Sequence, residues 1–266
     1  MDEAATKLNQ AGVNSPREIA MKGTLEAGKE LLRLRGPAIT LSNVPLEEAI
    51  NLAGVPRASV YRAWQGYGEG GSARDNFHEA LACYLLEQGF AGGPDGVIVL
   101  NQQLDSLIEA YPSTKLCAMG IADRRALLRS TIASIAVLAI QTTVSKEWQA
   151  RIAVSAALAS QPEDAVSSRL KASYLEGEQE AVARYQPIYE RISSHFGMRI
   201  KGHYTMRHFA TTVLGVAEGI RARELYLADH ISPFPEPWGL FNTSLLGLVH
   251  EYFEEDPDHP TPTALA

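Results

Sequence analysis

Apolar residues recur along most of this chain with the spacing of an α-helix. Ser15 is suited to cap a first helix, and Pro16 to occupy its first position, where a missing N–H costs nothing. The pair Gly36-Pro37 should end that helix after Arg35. An apolar stripe at i, i+4, i+7 and i+11 would pack against the segments that follow, and it consists of Met21, Leu25, Gly28 and Leu32.

The stretch Leu46–Trp64 predicts two helices separated by a tight turn. Pro45 is suited to the start of the first helix, and Gly54 to the left-handed position that ends it. Pro56 should begin the second helix. Two apolar residues four positions apart share one helix face, so we expect a buried face formed by Val60 and Trp64.

Further helical patterns follow along the rest of the chain. Pro187 falls inside one of them and should kink or split that helix near Tyr185. The predicted helices are Ala73–Gly89, Val97 to about Ala110, Ile121–Val144, Ser145–Ser160, Pro162 towards His195, Tyr204–Leu225 and Gly239–Phe253.

These elements predict an all-α fold of about nine or ten helices. We expect a disordered N-terminus over residues 1–15 and a three-helix, helix-turn-helix head over 16–72. A larger helical bundle for ligand binding and dimerisation would occupy 73–253, followed by a disordered tail over 254–266.

Composition and motif searches argue against several classes of protein. The two cysteines, Cys83 and Cys117, have no metal-binding spacing and suggest reduced, buried thiols. The seven histidines include no H-E-x-x-H motif, and no G-x-S-x-G or phosphate-binding P-loop occurs. Gly66–Gly71 matches G-x-G-x-x-G but follows a helix, so we interpret it as a flexible loop. We therefore predict no metal, no cofactor and no enzymatic activity.

The first residues lack the apolar core of a signal peptide, and no apolar run has the length of a membrane span, so we expect a cytoplasmic protein. The net charge of −7 argues at first against nucleic acid. Between Pro16 and Trp64, however, seven basic and five acidic residues give +2, which leaves −9 for the remainder. A weakly basic head on an acidic body fits a two-part regulator.

The second helix of Leu46–Trp64 carries guanidinium and hydroxyl groups away from its apolar face. Arg57, Ser59, Tyr61 and Arg62 are suited to phosphates and base edges, although a solvated helix face is the alternative. A second group precedes the helix pair and would either bind a phosphate or serve only as turn and cap residues: Thr40, Ser42 and Asn43.

The chain resembles the tetracycline-repressor (TetR) family of bacterial transcription regulators. The residues that carry the resemblance are TLEAGKELLRLRG (Thr24–Gly36), AGV (Ala53–Val55) and PRASVYRAW (Pro56–Trp64). They are similar to that family's first helix, its turn and its recognition helix. Pro56 stands where the family commonly has a capping serine, so one capping hydrogen bond should be missing.

The resemblance implies a DNA-binding role for the recognition helix. Tyr61 and Arg62 match positions that contact phosphates, whereas Arg57, Ala58 and Ser59 match positions nearest the bases. It also implies a homodimer through the last two helices and a small apolar effector held in the body. Candidate residues around that effector are Tyr111, Met119, Trp148, Tyr185, Tyr189, Phe196 and His208.

We therefore expect a homodimeric, ligand-responsive regulator, and more specifically a repressor that binds a pseudo-palindromic operator in double-stranded DNA. Two alternatives remain open. One is an all-α small-molecule-binding protein or enzyme whose helix-turn-helix is vestigial. The other is a helical interaction protein that only dimerises.

Overall fold

The computed structural model describes residues 15–35, 41–67, 71–87, 93–142, 146–159, 162–231 and 239–259. These ranges contain eleven α-helices, a short 3-10 turn at Leu41–Asn43 and two three-residue strands, which confirms the all-α class. The helices are α1 (Pro16–Arg35), α2 (Leu46–Ala53), α3 (Arg57–Gln65), α4 (Ala73–Glu87), α5 (Gly93–Ala110), α6 (Ser113–Ala118), α7 (Ile121–Thr142), α8 (Lys146–Leu158), α9 (Ala165–His195), α10 (Met206–Ile231) and α11 (Leu240–Tyr252).

Most predicted helices are present at nearly the predicted bounds, and α6 is an addition. The disorder expected before Ser15 lies outside the described residues. No helix in the described ranges is both long and apolar enough to cross a membrane. Cys83 is buried as expected, but Cys117 is exposed because it lies on an outward face of the short α6.

The chain divides into two compact units. The first takes in the described residues up to Leu86 and those of Gln149–Ser173, and the second takes in Glu87–Trp148 and the described residues from Tyr174 onwards. The division does not coincide with the boundary expected at residue 72. The reason is that α4 contributes Phe77 and Leu81 to the core of the first unit.

In the first unit, α1 packs against both α2 and α3. A reciprocal capping box begins α1: Glu18 N–H donates to Ser15 Oγ at 3.2 Å, and Ser15 N–H donates to Glu18 Oε2 at 2.7 Å. The buried face of α1 includes Leu31 and Leu32, whereas Met21 and Leu25 of the predicted stripe are only half-buried. The predicted stripe therefore coincides with the core face at Gly28 and Leu32 but not at Met21 and Leu25.

Trp64 forms the centre of the first unit's core and is fully buried. Its indole Nε1–H donates to Thr24 Oγ1 at 3.1 Å, and its ring meets that of Phe77 edge to face at 5.7 Å. Asn76 Nδ2 donates to the Trp64 carbonyl at 2.7 Å. A substituent at Gly28 would come within 3.1 Å of Phe77, so the small residue allows α1 and α4 to pack closely.

The second unit is built around a larger apolar core. Its members include Leu104 of α5, Ile132 of α7, Tyr189 of α9, Val213 of α10 and Leu245 of α11. Within this unit α11 packs against α7 and α10, and α5 packs against α7. The fold of this unit is therefore a helical bundle whose helices share one core.

Of the kink or split expected near Tyr185, the split does not occur at Pro187, and the kink stays a prediction. The helix α9 runs continuously from Ala165 to His195. Pro187 is exposed, and so is Ala183, whose carbonyl loses its helical donor. Because that carbonyl is on the outward side, water can satisfy it, and the buried neighbours Ile188 and Tyr189 hold the helix against the core.

The predicted disordered tail is partly wrong. Strand β2 (Phe253–Glu255) pairs antiparallel with β1 (Met198–Ile200), and the pairing sets Arg199 opposite Glu254. Arg199 Nε donates to Glu254 Oε1 at 2.9 Å, and Asp256 N–H donates to the Gly197 carbonyl at 3.0 Å. The acidic sequence predicts a solvated end, because the partner strand is more than fifty residues earlier and leaves no local signal.

Candidate functional site

The candidate site is the pair of helices α2 and α3 and the three residues that connect them. Gly54 has a φ of 64°, the left-handed conformation predicted for it, and its N–H donates to the Ile50 carbonyl at 3.1 Å. Val55 packs partly against the core. Pro56 precedes α3 with an extended backbone and forms no side-chain capping bond, as expected.

Helix α3 has one buried and one outward face. Val60, Ala63 and Trp64 are buried, which confirms the predicted core pair. On the other side Arg57, Ala58 and Arg62 are exposed, whereas Ser59 and Tyr61 are half-buried. All five residues of α3 that are proposed to contact DNA therefore keep some solvent contact, and the outward face is continuous along the helix.

An acidic side chain of α2 occupies part of this outward face. The Glu47 carboxylate accepts hydrogen bonds from the Tyr61 hydroxyl and from Arg57 Nη2, the latter at 2.7 Å. The Arg57 guanidinium also lies 5.5 Å from the centre of the Tyr61 ring. The hydrogen bond to Glu47 raises the pKa of Tyr61. Two of the predicted DNA contacts are thus held together by one carboxylate.

Other basic side chains near this surface are also engaged. Arg35 pairs with Glu48 of α2, and Arg33 pairs with Glu30 one turn away on α1. Arg17 Nη2 donates to the Gly66 carbonyl at 2.7 Å. Arg62 forms no ion pair within the part of the chain that the structure describes. It is therefore the guanidinium of α3 that is open to an external anion.

The residues predicted before α2 are only partly informative. Thr40 and the side chain of Ser42 lie outside the described residues. Asn43 ends the 3-10 turn and is half-buried, and its carbonyl accepts a long hydrogen bond of 3.5 Å from Arg35 Nη1. This hydrogen bond connects the backbone of Asn43, just before α2, to the last residue of α1.

The predicted effector contacts do not converge on one cavity. Tyr185, Tyr189 and Phe196 are buried core residues, and the rings of Tyr185 and Tyr189 stack at 6.3 Å. His208 is exposed and exchanges capping hydrogen bonds of 3.2 Å with Thr205 at the start of α10. Burial raises the pKa of both tyrosines and keeps their hydroxyls protonated.

The other three candidates lie elsewhere. Tyr111 is half-buried under the ammonium of Lys115, which is 4.3 Å from the ring centre. Met119 ends α6, and its carbonyl accepts a hydrogen bond from Arg124 Nη1. The side chain of Trp148 lies outside the described residues. None of the other six candidates is among the described residues that line the large cavity of the second unit.

That cavity is an open groove of about 1200 Å³ between α5 and α7. We call it the α5–α7 groove. Its floor is formed by Ile188 and Ile192 of α9, and its walls include Leu100 and Leu104 of α5 and Leu127 and Ile135 of α7. The volume lies above the range of roughly 300–1,000 Å³ that is usual for small-molecule pockets. The groove is therefore the main candidate ligand site of this unit.

Sequence reasoning missed both Glu47 and the α5–α7 groove. Glu47 is ten residues from Arg57 and fourteen from Tyr61, a separation that no helical spacing connects. The described lining of the groove is mainly aliphatic and small residues, with no aromatic ring, and such residues carry no signal that distinguishes a ligand site from a core. In the described ranges no group of three or more His, Cys, Asp or Glu side chains could hold a metal ion.

Comparisons of the chain with protein-family models, with curated proteins and with solved structures found no match. The function must therefore be argued from the geometry of the two units.

Proposed function

We propose that the protein is a ligand-responsive DNA-binding transcription regulator in which α3 enters the major groove. The observation that carries the proposal is the outward face of α3, which is polar and basic and is supported from behind by the fully buried Val60 and Trp64. A short helix, a left-handed glycine turn and a second helix with such a face are typical of helix-turn-helix proteins.

Within this proposal the residues of α3 divide by their place on the helix. Arg57, Ala58 and Ser59 are at its N-terminal end, which approaches base edges in such complexes. Tyr61 and Arg62 are one turn further and would contact phosphates. Since Arg62 has no ion pair among the described residues, it can give charge-assisted hydrogen bonds to a phosphate at little cost.

The carboxylate of Glu47 opposes part of this binding. In the protein without DNA, the Glu47 carboxylate accepts hydrogen bonds from Arg57 and Tyr61. DNA must therefore compete with this carboxylate for the Arg57 guanidinium. A single head would therefore bind DNA weakly. We propose that two heads bind together as a homodimer on a pseudo-palindromic operator, because linked binding multiplies modest affinities.

The dimer contact is proposed to involve α10 and α11, the last two helices. Among the described residues, the large apolar side chains of these helices, such as Val213 and Leu245, are buried or half-buried within the chain. The outward faces of the two helices instead present small residues, among them Gly215, Gly219 and Gly247, with open space around each. Small residues allow helices of two copies to approach closely.

We further propose that the regulator is a repressor and that an apolar effector binds the second unit and weakens operator binding. Binding linkage requires the operator to weaken effector binding by the same factor. The α5–α7 groove also favours a second candidate function, in which the protein binds a small molecule and its helix pair no longer binds DNA.

The test is a selection of genomic DNA fragments by the purified full chain, followed by footprinting at two salt concentrations. The proposal expects a protected pseudo-palindrome and an affinity that falls steeply with salt. Arg62→Ala should weaken binding to all sequences and reduce the salt dependence by about one phosphate contact. The control is Lys171→Ala, since Lys171 is also an exposed cation but is on α9, outside the proposed DNA and dimer contacts. Salt-independent binding, or no effect of Arg62→Ala, contradicts the proposal.

A further inference from the structure

We propose that the α5–α7 groove binds a medium-chain aliphatic carboxylate and that Arg129 holds its head group. Only the role of this ligand as an effector rests on the proposed function. The binding itself does not depend on DNA recognition and can be measured without DNA.

The first argument is the charge of the groove. Of the seventeen described residues that line it, only Arg129 carries a charge. Arg129 is exposed and forms no ion pair within the described residues. Asp105 lies between two lining residues of α5, but its carboxylate is taken by Arg191. In a chain with a net charge of −7, this is a local positive site that favours an anion.

The second argument is the chemistry of the walls. Several lining residues carry hydroxyl groups, but three of these donate to carbonyls of their own helix: Ser106 to Gln102 at 3.0 Å, Thr131 to Leu127 at 2.9 Å, and Ser134 to Ser130 at 3.0 Å. The described wall therefore offers mainly methyl and methylene groups, together with the neutral amides of Gln102 and Gln103, while Arg129 supplies the charged donors.

The third argument is length. The lining stretch of α5 runs from Val99 to Leu107 and that of α7 from Ala126 to Ile135, which correspond to about 12 and 14 Å at the helical rise. An extended chain advances by about 1.2 Å per bond, so the groove matches an aliphatic chain of roughly ten to twelve carbon atoms. Ligands with such a tail and one carboxylate satisfy both the walls and Arg129.

The experiment uses the purified full chain and displacement of the neutral fluorescent probe N-phenyl-1-naphthylamine. Sodium decanoate is compared with decan-1-ol and decyltrimethylammonium, which have the same tail but a neutral and a cationic head. We expect decanoate to displace the probe at concentrations at least about tenfold lower than the other two. Equal displacement by all three would overturn the role of charge.

Two variants locate the site. Arg129→Gln should raise the decanoate concentration needed by about tenfold and leave decan-1-ol unchanged, and the control Arg207→Gln should change neither. Ser130→Trp fills the groove from an exposed wall position and should abolish displacement by every ligand, in contrast to Ser168→Trp on α9. Far-UV circular dichroism confirms that each variant is folded.

Unchanged decanoate binding in Arg129→Gln, or probe binding that survives Ser130→Trp, would overturn the proposal. A separate measurement of DNA affinity with and without decanoate tests the effector role. If decanoate binds as expected but the protein binds no DNA, the proposed function fails and the ligand site stands. If DNA binds and decanoate does not, the reverse holds.

Discussion

The carboxylate of Glu47 determines the charge that α3 presents to an external anion. It accepts hydrogen bonds from Arg57 and Tyr61, and its side chain is 41% exposed. An exposed ion pair of this kind contributes little to stability, on the order of 0–1 kcal/mol. Its main consequence is electrostatic, because it places a negative charge on the surface proposed to meet phosphates.

We predict that Glu47→Gln strengthens DNA binding by roughly threefold or more, because the amide removes the negative charge and releases Arg57. The measurement is a titration of the selected operator at low and moderate salt. Glu30→Gln is the control, since it removes the same charge from a paired glutamate on α1. Equal effects of the two variants would assign the gain to net charge alone and contradict a specific role for Glu47.

His195 is the residue whose burial connects stability to pH. It is buried near the end of α9, and its Nε2 atom has no hydrogen-bond partner. Burial lowers the pKa of His195 below its usual value, and the nearby His259 lowers it further, against a hydrogen bond to the Tyr111 backbone. The folded protein therefore favours the neutral imidazole.

This direction predicts that His195 lowers stability in acid. The contribution of the neutral imidazole to the free energy of unfolding is fully present above the unfolded-state pKa of about 6.5. It is lost as the pH falls from that value towards the lower folded-state pKa. We expect the free energy of unfolding to fall less between pH 7.5 and 5.5 in His195→Gln than in the unaltered chain. Denaturant titrations at the two pH values measure this difference, and equal losses would contradict the assignment.

At the scale of elements, the sequence predicts a feature correctly where that feature depends only on residues close together in the chain. The spacing of Val60 and Trp64 fixed the buried face of α3, and Gly54 adopted the left-handed turn expected of it. Pro187 was different, because the exposure of Ala183 and Pro187 decides whether the lost hydrogen bond matters. That exposure depends on tertiary packing, which a helical pattern does not report.

The β1–β2 pair makes the same point for the end of the chain. The acidic segment after Phe253 looks solvated in sequence, yet it pairs with Met198–Ile200 across a separation of more than fifty residues. Pairing over such a distance leaves no periodic signal in the sequence. The Arg199–Glu254 contact and the Asp256–Gly197 hydrogen bond are therefore consequences of the bundle, which brings the ends of α9 and α11 together.

Truncation measures how much the β1–β2 pair contributes to the free energy of unfolding. Removing all residues after Phe253 should lower the free energy of unfolding by about 1–3 kcal/mol, because strand pairing and the bond to Gly197 are lost. Removing only the residues after His259 is the matched control and should have little effect. Thermal unfolding of both proteins measures this, and equal melting temperatures would show that the strand pair is dispensable.

At the scale of the whole molecule, the sequence predicted the class of fold but not the groove that we propose as the ligand site. Aromatic residues such as Tyr189 and Phe196 were natural candidates, and both are core residues. The groove instead lies between α5 and α7, over Ile188 and Ile192 of α9. A space between helices depends on how three elements pack, so no single stretch of sequence encodes it.

The proposed dimer through the last two helices follows from the resemblance, and the structure shows which described residues those helices expose. The strongly exposed large apolar side chains of the described residues lie elsewhere, for example Ile98 on α5 and Leu175 on α9. The exposed positions of α10 and α11 in the described ranges combine polar and charged residues with glycines, of which Gly215 and Gly219 are one turn apart. Close approach of two copies along these glycines would rely on packing of backbones rather than of large side chains.

This contact gives the prediction that separates dimerisation from folding. A side chain at Gly215 meets no atom of its own chain within 4 Å, so Gly215→Arg should leave the folded unit intact. If α10 lies in the interface, the long charged side chain should block close approach and shift the protein from dimer to monomer. Size-exclusion chromatography with light scattering measures the mass, and circular dichroism the helicity. Gly202→Arg, at an equally open turn position, should remain dimeric. A dimer that tolerates Gly215→Arg would place the interface on another surface.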